Sequence, residues 1–265
     1  MGVADWIGLG QMDELGRMDT PMHRIDARAK ACVTVAFIVV VMSFPRYEIS
    51  ALVPFLFYPL VLVSLGRIPG RHIVRKIWVA SPFALAVGLF NPFFDRQPYG
   101  PLGVAGGWVS FASVLLRFLL TVGAALALVA CTGMNRLAAG LGRMGVPRVF
   151  VVQLLFLYRY LFVVSDEGGK MLRSVEMRSE KGRPLRFRPY GSLLGTLLLR
   201  SMDRAERVYR AMVARGFDGE VRELGRPAIR FEDILFVGVW LAFFIIARVW
   251  NLADGLGLLL TGIWA

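Results

Sequence analysis

Apolar positions in this chain come in long runs, not in the alternation of a strand or the broken stripe of a soluble helix. Residues 31–44, 49–65, 77–94, 108–131 and 231–248 are nearly free of charge, and polar or Gly/Pro-rich punctuation separates them. About 20 apolar residues in a helix match the thickness of a bilayer core, so each run reads as a candidate span. The first is short, and snorkelling of Arg28 and Lys30 is expected to extend it. The predicted fold is all-α and polytopic, with about five transmembrane helices.

Composition agrees. Of 265 residues, 56% are hydrophobic and mean hydropathy is +0.58. Soluble domains hold about 45–50% apolar residues. Net charge is +12 and the pI about 10.5. On a soluble chain that balance would point to nucleic acid. Here the cations lie between apolar runs, so they report topology, and no nucleic-acid partner is expected. Residues 23–30 and 66–76 are basic; residues 45–48 and 95–107 are near neutral. Since Lys and Arg gather on the cytoplasmic side, the N-terminus is expected inside and the C-terminus outside. The first nineteen residues carry four acids and lack the basic start of a signal peptide.

These signs predict three parts: residues 1–132 with four spans, residues 133–230 as cytoplasmic or interfacial coupling helices, and residues 231–265 as a last span with an outer tail lying at the interface. Between Gly133 and Arg230 there are 19 Lys/Arg against 9 Asp/Glu. Residues 149–164 are apolar enough to cross, with Gln153 and Arg159 inside. A crossing there would put the next 15 Lys/Arg outside, against the charge rule. The segment is therefore read as a helix against the membrane or packed under the spans.

Within this basic part, Leu193, Leu194, Leu197, Leu198, Ala205, Val208, Tyr209, Met212 and Val213 recur at spacings of three and four. This predicts a helix over 190–215 with one apolar stripe. Asp203 with Arg207, and Glu206 with Arg210, fall at i,i+4. Gly216 is a natural left-handed cap, which leaves Arg215 at the helix end. A second helix is expected over 165–181, ending at Lys181-Gly182 before Pro184. Two cation-tipped helices fit a two-fold partner in the cytoplasm; an interfacial helix held by anionic lipid is the other reading of the same spacing.

At these residues the chain resembles the transmembrane T component of energy-coupling-factor transporters, and most of all its cobalt-uptake branch, CbiQ. Ala214-Arg215-Gly216 resembles the second Ala-Arg-Gly motif of that family, and Glu180-Lys181-Gly182 stands where the first belongs. Asp26-Ala27-Arg28-Ala29-Lys30 resembles the family's Asp-Pro-Arg-x-Lys entry, with Ala27 in place of Pro. Lys181 keeps the charge but loses the guanidinium fork. The resemblance implies a non-catalytic scaffold in the cytoplasmic membrane. Its partners would be two cytoplasmic ATPase subunits, a substrate-binding membrane subunit and the bilayer. Arg215 and Lys181 would dock on the ATPases. No cofactor is implied in this chain: ATP belongs to the ATPases and cobalt to the substrate-binding subunit. Nickel or a vitamin is the alternative cargo.

The remaining residues fit that reading. There is no Gly-x-x-x-x-Gly-Lys-Ser/Thr loop. The only histidines, His23 and His72, sit in basic clusters, poor material for a cobalt or nickel site. Cys32 and Cys131 imply neither a disulfide framework nor zinc. Arg117 interrupts the fourth run, where an intramembrane ion is a functional candidate by default; snorkelling or pairing within the bundle is the simpler role. Small residues at 122–127 permit close helix approach. A stand-alone secondary carrier would need broken or charged helices in two related halves, and a membrane enzyme would need clustered His, Asp or Glu; neither pattern is apparent.

Overall fold

The computed structural model describes residues 20–45, 48–90, 98–99, 104–178, 187–219 and 229–249. The helices are α1 (Pro21–Arg24), α2 (Ala27–Met42), α3 (Phe57–Leu65), α4 (Gly70–Leu89), α5 (Gly106–Thr132), α6 (Met134–Arg143), α7 (Arg148–Arg178), α8 (Phe187–Ala214) and α9 (Phe231–Val249). A 3₁₀ segment, Ser50–Leu56, leads into α3. The only strand pairing among the described residues is a two-residue antiparallel contact, Pro98↔Ala105 and Tyr99↔Val104. The helices fall into two compact units: α6, α7 and α8 form one, and the others form the second.

In the larger unit, local chemistry sets the helix ends. Asp26 caps α2 by accepting the Arg28 N–H at 2.9 Å. Pro59 has no N–H to give the Phe55 carbonyl, so an α-helical ladder cannot run straight through; the chain is 3₁₀ before Phe57 and α-helical after it. Pro82 likewise leaves the Trp78 carbonyl without its helical donor, and Ser81 Oγ takes its place at 2.8 Å.

The core of this unit is aromatic. Tyr58 stands 4.8 Å from Phe37 and 4.7 Å from Trp240 between ring centroids, and Phe37 lies 5.5 Å from Phe244. The Tyr58 hydroxyl shares a 2.7 Å hydrogen bond with Thr34 Oγ1, so its polar end is satisfied. Close approach is needed at Gly66, where a Cβ would fall 2.7 Å from Cys131 Sγ.

These contacts fix directions. The starts of α2 and α9 and the ends of α3 and α5 share one end of the unit: Asp26 N donates to Asp233 Oδ1, and Cys131 Sγ donates to the Leu62 carbonyl. At the other end, Arg117 Nη2 donates to the Pro45 carbonyl at 2.6 Å, and Arg248 lies over the Phe44 ring at 4.3 Å. Gly88 packs on Phe111 and Gly123 faces Ile77, so α4 runs antiparallel to α5.

Several expectations change. Lys30 does not snorkel: it is 1% exposed, and its Nζ donates to the Met22 and Cys131 carbonyls, each at 3.1 Å. His23 is buried, with Nδ1 2.6 Å from Thr20 Oγ1. The third run starts its helix at Gly70, two turns inside the basic cluster, because Arg71, Arg75 and Lys76 are compatible with a helix and only Pro69 stops it. Residues 149–164 and 165–181, read as separate elements, are joined without a break in the single helix α7, described as far as Arg178. No proline lies between them, and a change from apolar to polar does not by itself end a helix. The N-terminal nineteen residues, most of 91–103 and the tail 251–265 lie outside the described residues.

Candidate coupling surface

In the smaller unit, α7 and α8 run antiparallel. Each oxygen of Glu167 on α7 takes one guanidinium from α8: Arg200 Nη1 at 3.2 Å and Arg204 Nη2 at 2.9 Å. Gly168 lets α8 come close, since a Cβ there would already touch Leu197 at 3.4 Å. Further back on α7, Phe156 meets Phe217, just beyond the end of α8, at 6.4 Å between centroids. Between these contacts runs an apolar groove of about 360 Å³, walled by Phe156, Tyr160 and Val164 on one side and by Val208, Tyr209 and Met212 on the other.

The end of α8 is built by its sequence. Gly216 has φ +82, its N–H donates to the Val213 carbonyl at 2.9 Å, and the Phe217 N–H donates to the Met212 carbonyl at 3.0 Å. This pair of bonds is the Schellman arrangement, which needs a left-handed residue where Gly216 stands. Arg215 is thereby the last residue before the reversal. Ala214, Arg215 and Gly216 are all exposed, and the Arg215 side chain has no hydrogen bond or ion pair among the described residues. A cation at this position is favoured by the partial negative charge of the helix C-terminus.

The other predicted contact, Glu180-Lys181-Gly182, lies outside the described residues; α7 is described up to Arg178, which is exposed. Since Phe156 sits beside the end of α8, Arg178 lies about 33 Å further along α7 at the helical rise. The ends of α7 and α8 thus point opposite ways. Of the two ion pairs expected along α8, Glu206–Arg210 forms and Asp203–Arg207 does not. The Asp carboxylate stands one methylene nearer the backbone and does not reach. The Glu167 clamp was not foreseen, although two like charges one turn apart, Arg200 and Arg204, call for an acid between them.

Among the described residues, three helices, α4, α5 and α7, are long and apolar enough to cross a membrane by length and composition. With an all-α architecture, this defines a polytopic membrane protein. The family model described as CbiQ, cobalt transport protein, matches residues 18–225. The chain belongs to that family, the transmembrane T components of energy-coupling-factor transporters, and its place is in the cell membrane. It is 26% identical to the energy-coupling factor transporter transmembrane protein EcfT of Heliobacterium modesticaldum, over 84% of this chain and 89% of the relative. It is 33% identical to the cobalt transport protein CbiQ of Rhodobacter capsulatus over 35% of this chain and 38% of the relative. Similarity of 31% to the nickel permease LarQ of Lactiplantibacillus plantarum covers 42% of each.

Proposed function

We propose that this chain couples ATP hydrolysis on two ATPase subunits to movement of a substrate-binding membrane subunit, with cobalt as the cargo. Arg215, flanked by Ala214 and Gly216, docks one ATPase, and Lys181, between Glu180 and Gly182, docks the other. The observation that carries this reading is the antiparallel pairing of α7 and α8. It sends two basic helix ends in opposite directions, about 33 Å apart by helical rise, so one pair of helices can serve two copies of a motor. The exposed, rigidly capped Arg215 offers a guanidinium fork to an acidic groove.

The same pairing argues against α7 as a span. Its apolar half lies beside the part of α8 that carries Asp203, Arg204, Glu206, Arg207 and Arg210. Each charge at the bilayer centre costs about 2.5–3.5 kcal/mol on insertion scales, so a crossing α7 would take a heavily charged neighbour with it. The proposed spans are α2, the Ser50–Leu65 segment, α4, α5 and α9. They alternate in direction, with Arg24, Arg28, Arg67, Arg71, Arg75, Lys76 and Arg230 at the shared cytoplasmic end.

Cobalt is favoured by the description of the matching family and by the Rhodobacter relative. The test is reconstitution: a tagged chain, expressed with the ATPase and substrate-binding genes that accompany it, should bring down both kinds of subunit. In proteoliposomes it should drive ATP-dependent uptake of cobalt(II). Uptake of nickel(II) or a vitamin instead would move the cargo, and active transport by the chain alone would overturn the coupling reading.

A further inference from the structure

Lys30 and Asp233 join three helix ends of the larger unit into one buried junction. Asp233 is 4% exposed. Its Oδ2 accepts the N–H of Arg230, at the start of its own helix α9, at 2.8 Å. Its Oδ1 accepts the N–H of Asp26, the cap residue of α2, at 2.7 Å. One carboxylate therefore satisfies an orphan donor at each of two helix starts. One turn into α2, the buried Lys30 ammonium reaches the Met22 carbonyl and the Cys131 carbonyl. Cys131 lies in the last turn of α5, where carbonyls lack helical donors and carry the negative end of the macrodipole. Both carboxylates thus stand at helix N-termini and the ammonium at a C-terminus. Each charge has the sign its dipole favours.

The position of this junction along the chain gives it a mechanical meaning. The chain leaves α5 for the smaller unit at Gly133, two residues after the carbonyl that Lys30 holds; Gly133 has φ +77, a sharp reversal. It returns before Arg230, whose N–H Asp233 holds. Beyond residue 15 the chain passes between the units twice, and both passages adjoin hydrogen bonds made by these two side chains.

We infer that Lys30 and Asp233 are positioning residues for transport, locking the two roots of the coupling unit into one rigid mount so that ATP-driven movement of α7 and α8 reaches the membrane helices undiminished. This rests on the coupling function proposed above. A mount that yields would let the ATPases turn over while the movement is absorbed at the links.

The test uses the whole complex in proteoliposomes and compares wild type with Lys30→Met and Asp233→Asn. Lys30→Met removes the donors while keeping a long apolar stem. Asp233→Asn keeps the volume and one acceptor oxygen but replaces the other by a donor, so one of the two N–H groups loses its partner. Both variants should assemble with the ATPases and hydrolyse ATP near the wild-type rate. Cobalt(II) uptake per ATP should fall about tenfold in each, the size of a typical coupling term. Lys30→Arg, which retains a cation at the Cys131 carbonyl, should recover part of the loss.

Amide hydrogen exchange gives a reading independent of cargo. In the wild-type complex, segments 26–31 and 229–233 should stay protected with and without ATP. Unchanged uptake per ATP in both variants, exchange that quickens during ATP turnover, or failure of both variants to assemble would overturn the inference. The last outcome would make the junction a folding element and no more. A wild-type complex that takes up no cobalt while these segments stay protected would count against the proposed cargo and leave the mount standing.

Discussion

Phe217 is seated on Phe156, so the residue two places after Arg215 is anchored to the facing helix. The guanidinium thus projects from an end fixed twice: by the left-handed turn at Gly216 and by this ring contact. Phe217→Ala keeps the charge of Arg215 but frees the end that carries it. Retention of ATPase subunits on the purified chain should fall about fivefold, within the usual range for lost preorganisation. Quantitative pull-down at graded salt measures it.

Arg215→Glu goes further, since it reverses the charge that the proposed docking offers to an acidic groove. ATPase association should weaken by at least about 30-fold, as for a disrupted interfacial charge pair, while the amount of chain in the membrane stays unchanged. Lys181→Glu should act in the same direction and less strongly, because an ammonium lacks the bidentate fork. Arg207→Glu, an exposed cation on the same helix with no partner among the described residues, is the control and should be near neutral.

Glu167→Gln removes the charge that Arg200 and Arg204 share. The site is partly open, with 27% of the Glu167 side chain exposed, so the loss is modest: about 1 kcal/mol against unfolding of this unit. A thermal melt of the purified chain, repeated in an Arg204→Met background, should show most of that effect vanish when the partner is already gone.

Ser81→Ala tests the proline repair in α4. Removing Oγ leaves the Trp78 carbonyl without the donor that replaces the one Pro82 lacks. The expected cost is about 1 kcal/mol in wild type. It should disappear in Pro82→Ala, where the backbone N–H is restored. Detergent-resistance melts of wild type, the two single variants and the double variant complete the cycle.

The apolar runs revealed α4 and α5 because, for a helix long enough to cross a bilayer, length and lack of charge are themselves the determining physics. The end of α8 was equally legible: a glycine that must be left-handed, after a stripe at helical spacing, specifies both the stop and the exposed Arg215. Boundaries set by something other than polarity were harder to place. The N-terminal half of α7 was separated from its continuation because its polarity changes at Ser165, though nothing there ends a helix.

The junction that Lys30 and Asp233 make was invisible for another reason. Hydropathy assigns a charged residue to the surface unless its partners are known. Here the long-range partners are main-chain groups, the Cys131 carbonyl and the Asp26 N–H, which lie about 100 and about 200 positions away and have no side-chain signature. Arg117 was half legible: pairing within the bundle was foreseen, but not that its partner would be the Pro45 carbonyl.

The central claim is that the end of α8 touches an ATPase, and site-specific photo-crosslinking asks this most directly. A photoreactive residue at Ala211, exposed and one turn before Arg215, should trap an ATPase subunit in the assembled transporter and lose that product in Arg215→Glu. Crosslinks confined to lipid, or trapping of an ATPase with equal yield in Arg215→Glu, would contradict the account.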